Sequence, residues 1–252
     1  MAEGVILAAG RGSRLGNVTV KVPKPLLTFM DGDKLLDVQI RYYLEANVEP
    51  IYVVAQYKIE EIQSWIHQKG YPSCVVVKQK AKLGTAADGI LAVAKYVHDD
   101  FLVIHADHFI SYNPFHELLD SHHSGQITFL VEDPGSEFNS LGYGRQPGAA
   151  GRGRCSLDRE TRDVNFTKSE PQNCSNDVIW VDGCYLLPRS IFLLIATARQ
   201  ANPDHIDMDQ IFGHICKEAL AVMKGVSIQG WWANVNDTAT FREVSDRLFP
   251  RE

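Results

Sequence analysis

Through residues 3–122, short apolar runs alternate with stretches of helical period, and few folds accommodate that alternation. Strands are predicted at 3–9, 51–55, 74–78 and 101–105, and helices at 35–46, 58–68, 85–97 and 113–122. Ile59, Ile62 and Ile66 recur at the spacing of one helix face, as do Ile90, Val93 and Val97. These faces would cover the runs at 51–54 and 101–104, which are apolar enough to be buried on both sides. Strand–helix–strand units of this kind make a mostly parallel sheet between two helical layers, an α/β fold of the three-layer α/β/α sandwich type. Such a sheet binds ligands beyond the carboxyl ends of its strands. From residue 126 the pattern changes. Extended runs are predicted at 126–132, 143–146, 164–168, 178–187 and 226–233, with helices near 189–199, 208–218 and 238–248, so the sheet should be mixed. No fixed-period repeat is present, and in particular no hexapeptide repeat of a β-helix.

The first predicted strand, Val5-Ile6-Leu7-Ala8-Ala9, runs directly into Gly10 and Gly12. Residues without a Cβ let the backbone turn sharply and aim N–H groups at an anion. Two cations follow. Arg14 offers a planar fork of donors, whereas Lys24 is a compact point charge whose backbone is restrained by Pro23 and Pro25 on either side. Together they suit a polyphosphate whose charge redistributes during reaction. The dinucleotide fingerprint would need glycine at position 15, where Leu15 stands, so a Rossmann oxidoreductase ranks low. A P-loop would need Gly-Lys-Ser/Thr, which occurs nowhere in the chain.

Composition narrows the partners. The 252 residues, 45% of them hydrophobic, suffice for one sizeable core, and a single domain over 1–252 is expected. A net charge of −6 gives no general attraction to nucleic acid, so any anion must be held by a local cluster. No basic leader or membrane-length apolar run is evident, and a soluble cytoplasmic protein is expected, with no membrane partner. Cys74, Cys155, Cys174, Cys184 and Cys216 are odd in number and lack metal-ligand spacing, so reduced thiols are expected and a zinc site is not. A homo-oligomer is left open. The glycine- and arginine-rich stretch 146–154 reads as a mobile surface loop, with a phosphate-sensing lid as the alternative.

Residues 10–25 contain G-x-G-x-R-L-x-x-x-T-x-x-x-P-K-P, with Thr19 at its fixed position and Asn17 where proline is usual. This stretch resembles the signature of the sugar-1-phosphate nucleotidyltransferases. The resemblance continues in family order through Lys82-Leu83-Gly84-Thr85-Ala86, His105-Ala106-Asp107-His108, Gly142-Tyr143-Gly144, Val181-Asp182-Gly183-Cys184-Tyr185 and Trp232-Ala233-Asn234-Val235-Asn236. It implies the Rossmann-like nucleotidyltransferase fold, with a nucleotide-binding half at about 1–125 and an acceptor-binding half at about 126–252. It also implies the reaction. An acceptor phosphate oxygen attacks the α-phosphorus of a nucleoside triphosphate, pyrophosphate leaves, and a nucleotide sugar or similar diphosphate is made.

The same resemblance assigns roles. Arg14 and Lys24 are the implied catalytic cations, Arg14 facing the triphosphate and Lys24 bridging the α-phosphate and the acceptor phosphate. Leu7, Ala8, Ala9, Gly10, Gly12 and Ser13 form the implied nucleotide loop, completed by Gln79, Gly84 and Thr85. Gln79 and Gly84 match positions that read the edge of a pyrimidine, a task suited to an amide that donates and accepts in one plane. Magnesium is the implied cofactor, held by Asp107 and by one of Asn234, Asn236 and Asp237, with Asn236 preferred. The departure from the commoner aspartate makes the second ligand a weaker amide oxygen. His105 and His108 are expected to pack or to support the site, since magnesium prefers oxygen. For the acceptor, Gly144, Lys168 and Asp182 are the implied contacts. Here the usual Glu-Lys-Pro is replaced by Ser169-Glu170-Pro171, with Lys168 two places away. An unusual acceptor follows as an expectation, whether a less ordinary sugar-1-phosphate or a phospho-alcohol or phosphonate used by a cytidylyltransferase. The alternative is a regulatory subunit that binds nucleotide sugars without catalysis.

Overall fold

Successive strand residues point to opposite sides of a sheet, and the first strand shows how that divides the core. Val5 and Ile6 are both fully buried, yet Val5 belongs to the cluster that holds Ile90, Ile195 and Phe212, and Ile6 to the one that holds Leu35, Tyr43 and Ile62. Each face of the sheet therefore carries its own helical layer. The computed structural model describes residues 2–29, 31–80, 85–132, 154–166, 177–201 and 207–250.

In chain order the elements are β1 (Glu3–Leu7), a 3₁₀ turn (Ser13–Leu15), α1 (Asn17–Lys21), a 3₁₀ turn (Lys24–Leu26), α2 (Leu35–Glu45), β2 (Ile51–Ala55), α3 (Ile59–Lys69), β3 (Cys74–Lys78) and α4 (Ala86–Ala92). There follow β4 (Phe101–His105), β5 (His108–Ile110), α5 (Phe115–Ser121), β6 (Ile127–Glu132), β7 (Arg154–Leu157), β8 (Val164–Asn165) and β9 (Asp177–Leu187). The last are α6 (Ile191–Ala201), α7 (Met208–Lys217), β10 (Met223–Ser227), β11 (Trp232–Asn234) and α8 (Thr238–Leu248).

The main sheet runs β10-β6-β9-β4-β1-β2-β3, and β7 and β8 join it through β9. The pairs β4–β1, β1–β2, β2–β3 and β10–β6 are parallel, whereas β9 lies antiparallel to both β4 and β6. The mixed, mostly parallel sheet predicted from the sequence is thus present. The run predicted at 143–146 lies outside the described residues, and one other expectation differs. The run at 226–233 is not one strand but two, in different sheets: β10 pairs with β6, while β11 pairs antiparallel with β5. The break falls at Gly230, which lies so close to Ser111 and the Tyr112 ring that a side chain would not fit. Ser111 Oγ accepts from the Trp231 N–H there, and the chain turns toward β5.

Close packing at the sheet's centre explains Gly4. A Cβ on Gly4 would sit 2.6 Å from Cδ1 of Tyr43, whose buried hydroxyl donates to the Val5 carbonyl at 2.8 Å. Gly4→Ala should therefore lower stability by about 1–3 kcal/mol, because neither the ring nor the strand can yield without losing that hydrogen bond. Urea denaturation is the check, and an unchanged midpoint would show that the ring relaxes freely.

Candidate active site

Strands β1 and β4 end side by side at Leu7 and His105, and the chain leaving each one builds the two walls of a cleft. Its cavity, about 190 Å³, is lined by Leu7–Gly10, Lys24, Pro25, Gln79, Thr85, Ala86, Gly89 and residues 105–107. Of the sequence-predicted residues, Leu7, Ala8, Ala9, Gly10, Lys24, Gln79, Thr85 and Asp107 therefore face one space. Gly12, Ser13 and Arg14 continue the loop outside that lining, with Ser13 and Arg14 exposed. Gly12 has φ +66° and lies against Thr19 and the Lys24 stem, so a side chain would be strained and crowded there. The Thr19 hydroxyl donates to the Gly12 carbonyl at 3.0 Å, which ties the turn to the short helix after it.

The centre of the cleft is a three-way contact. Lys24 Nζ donates to Asp107 Oδ2 at 2.8 Å and to Asn236 Oδ1 at 2.9 Å, joining residues 212 positions apart in the chain. Lys24 is buried where it meets them. Burial alone would raise the Asp107 carboxyl, but the Lys24 ammonium, followed by His108 and His105, outweighs it and holds the group well below the usual carboxylate range.

Main-chain bonds set this geometry. Asp107 follows β4, and its carbonyl accepts from the Val235 N–H at 2.7 Å, which brings the residues after β11 alongside. Buried Gln39, on α2, donates through Nε2 to the carbonyls of His105 and His108, both at 2.9 Å, and so braces the turn that carries Asp107. The three amide and acid candidates near the C-terminus separate clearly. Asp237 caps α8, its carboxylate accepting from the Thr240 N–H at 2.8 Å. Asn234 is buried with its Oδ1 unbonded, and Asn236 alone of the three reaches Lys24.

The far wall is held from a distance. Thr85 and Asp88 form a capping box at the start of α4, and Arg199 of α6 grips both, at 3.0 Å to Asp88 Oδ1 and 3.4 Å to Thr85 Oγ1. Gly89, one helical turn on, has no room for a Cβ against Leu7 and lies near the amide oxygen of buried Gln79. Sequence reasoning missed Gly89 and Arg199, because their importance arises only from packing across the chain. Arg199→Ala should leave Asp88 buried without its cation and loosen this wall. The expected result is a nucleotide KM raised about three- to tenfold with a smaller change in kcat, measured by steady-state kinetics.

Gly84, Gly144 and Lys168, predicted to bind base and acceptor, lie outside the described residues, as does most of the 146–154 stretch. Asp182 lies within β9, beside the positive-φ Gly183. Among the described residues, Cys74, Cys184 and Cys216 are free thiols. No helix among the described residues is long and apolar enough to cross a membrane.

This fold has counterparts among known proteins. The family model described as nucleotidyl transferase matches residues 3–248. The chain belongs to the nucleotidyl transferase family. Among curated relatives, the bifunctional protein GlmU of Methanocaldococcus jannaschii is 26% identical over 99% of this chain and 55% of its own length. The mannose-1-phosphate guanyltransferase of Saccharomyces cerevisiae is 33% identical over 52% of this chain and 39% of its own. The chain thus spans about half the length of the first curated relatives it matches. In fold it is similar to the inositol-1-phosphate CTP transferase of T. maritima, with a TM-score of 0.73, 17% identity, and coverage of 99% of this chain and 97% of that one. The resemblance read from residues 10–25 therefore extends through the fold and the family.

Proposed function

We propose that this chain transfers a nucleoside monophosphate from a nucleoside triphosphate to a sugar-1-phosphate or a similarly phosphorylated small molecule, releasing pyrophosphate. The observation that carries the reading is the Lys24 ammonium, bonded to both Asp107 and Asn236 at the floor of a cleft walled by the glycine loop. A new bond forms between an acceptor phosphate oxygen and the α-phosphorus, while the bond from that phosphorus to the β-bridging oxygen breaks. Both reactants are anions, so their approach needs cations placed in advance. Lys24 is the buried cation of the cleft and would turn from Asp107 toward the α-phosphate and the incoming oxygen. Exposed Arg14 would meet the outer phosphates, and the loop N–H groups would hold the triphosphate in line.

A divalent cation fits the oxygen pair. Asp107 Oδ2 and Asn236 Oδ1 already converge on one positive charge, and a carboxylate with a neutral amide is a hard donor set that leaves room for water and phosphate oxygens. Magnesium held there would neutralise charge on the triphosphate. The base reading rests on Gln79, a buried amide in the cavity wall whose one-plane donor and acceptor suit a pyrimidine edge. For the acceptor, Lys168, Asp182 and Gly144 remain the residues of choice, with magnesium and cytoplasmic nucleotide-sugar synthesis as the setting.

Pyrophosphate release, measured with each of the four common triphosphates against a panel of sugar-1-phosphates and phospho-alcohols, tests the reading. Turnover should be highest with a pyrimidine triphosphate. Tight nucleotide binding without release for any acceptor would favour the regulatory-subunit alternative, and a purine preference would overturn the role given to Gln79.

A further inference from the structure

We propose that Asp107 serves two cation sites of different chemistry: its Oδ1, with the imidazoles of His105 and His108, forms a second pocket for a borderline divalent ion of the zinc or cobalt kind. The two carboxylate oxygens already face different neighbours. Oδ2 accepts from Lys24 at 2.8 Å, while Oδ1 lies 3.1 Å from His108 Nδ1. His105, Asp107 and His108 each present a ligand atom, and the three lie within 4.8 Å of one another.

The surroundings hold these rings together. His105 and His108 meet edge to face at 5.4 Å, and both press on Gly183. A Cβ there would fall 2.6 Å from His105 Cγ and 2.9 Å from His108 Cε1, and Gly183 has φ +89°, so a side chain is excluded by both space and backbone. Metal-bound imidazoles are usually oriented through their second nitrogen. Tyr185 Oη lies 2.8 Å from His105 Nε2, so His105 would ligate through Nδ1. On the other ring, His108 Nε2 is buried without a hydrogen-bond partner, and so is Oδ1 of Asn234. Asn234 stands directly opposite His108 in the β5–β11 pairing.

This pair of orphaned atoms is the informative feature. With Nδ1 lying 3.1 Å from Asp107 Oδ1, the other ring nitrogen of His108, Nε2, is left without a partner among buried atoms. An ion on Nδ1 would leave Nε2 to carry the ring proton, and on the paired strand the buried Oδ1 of Asn234 lacks a donor. Two imidazoles and one carboxylate leave an open coordination position and favour a borderline ion over magnesium. The pocket uses no thiolate, in keeping with the cysteine spacing, and its occupancy does not depend on turnover.

The test is titration of the metal-free protein with Co²⁺, followed by visible absorption. Bound cobalt should give the intense bands of nitrogen ligation and persist in millimolar Mg²⁺. His105→Gln and His108→Gln should each weaken Co²⁺ binding about tenfold or more, with Mg²⁺ affinity changed by less than about twofold. In the wild-type protein, bound Co²⁺ should also shift the ring-proton resonances of His105 and His108, a readout that needs no variant to fold. Cobalt that Mg²⁺ displaces stoichiometrically, unshifted imidazole resonances, or Co²⁺ affinity indifferent to both substitutions would overturn the proposal.

Discussion

Lys24→Met is expected to reduce turnover about 10²–10³-fold, the loss typical when a preorganised donor to developing charge is removed. Methionine keeps the length of the stem, so packing against Gly12 is retained and the charge is the variable. The same substitution should act oppositely on metal binding. The ammonium occupies the position between Asp107 Oδ2 and Asn236 Oδ1 that a divalent cation would share. Removing it leaves two oxygens without a competing positive charge, so Mg²⁺ or Mn²⁺ should bind more tightly as turnover falls. Calorimetric titration beside pyrophosphate release measures both. Weaker metal binding in the variant would mean that Lys24 organises the oxygens and does not compete for them.

Asp107→Asn is expected to cost about 10³-fold or more in kcat, because several kcal/mol of charge stabilisation disappear with the carboxylate. Asp107 is the one acidic residue in the cavity lining among the described residues. Its ionisation is secured by Lys24 well below neutrality, so the native site is charged throughout the physiological range. The isosteric amide preserves shape but leaves a buried ammonium facing only neutral oxygens. Folding stability should drop by about 2 kcal/mol, less than for a fully enclosed pair because Asp107 is 27% exposed. A variant with wild-type kcat would remove Asp107 from the reaction.

The parts of this molecule written in local periodicity were legible from the chain. Helix faces such as Ile59-Ile62-Ile66 and runs such as 101–104 state their own burial, and the glycine turn and proline-flanked Lys24, singled out within a few residues, line one cavity. What was not legible depends on contacts between distant segments. β5 is three residues long, too short to show alternation, yet its pairing with β11 decides where residues 234–237 lie. Sequence left Asn234, Asn236 and Asp237 as rivals. The fold separates them through one helix cap, one strand register and one bond to Lys24. Arg199 gave no local signal at all, since its partners Thr85 and Asp88 lie more than a hundred residues away.

A double-mutant cycle on Lys24→Met and Asp107→Asn, read as kcat/KM for pyrophosphate release, tests most directly whether these side chains form one catalytic unit. The double variant should be scarcely slower than the worse single variant, because either change disables the same phosphate-transfer centre. Losses that multiply independently, or a single variant that keeps wild-type kcat/KM, would contradict it.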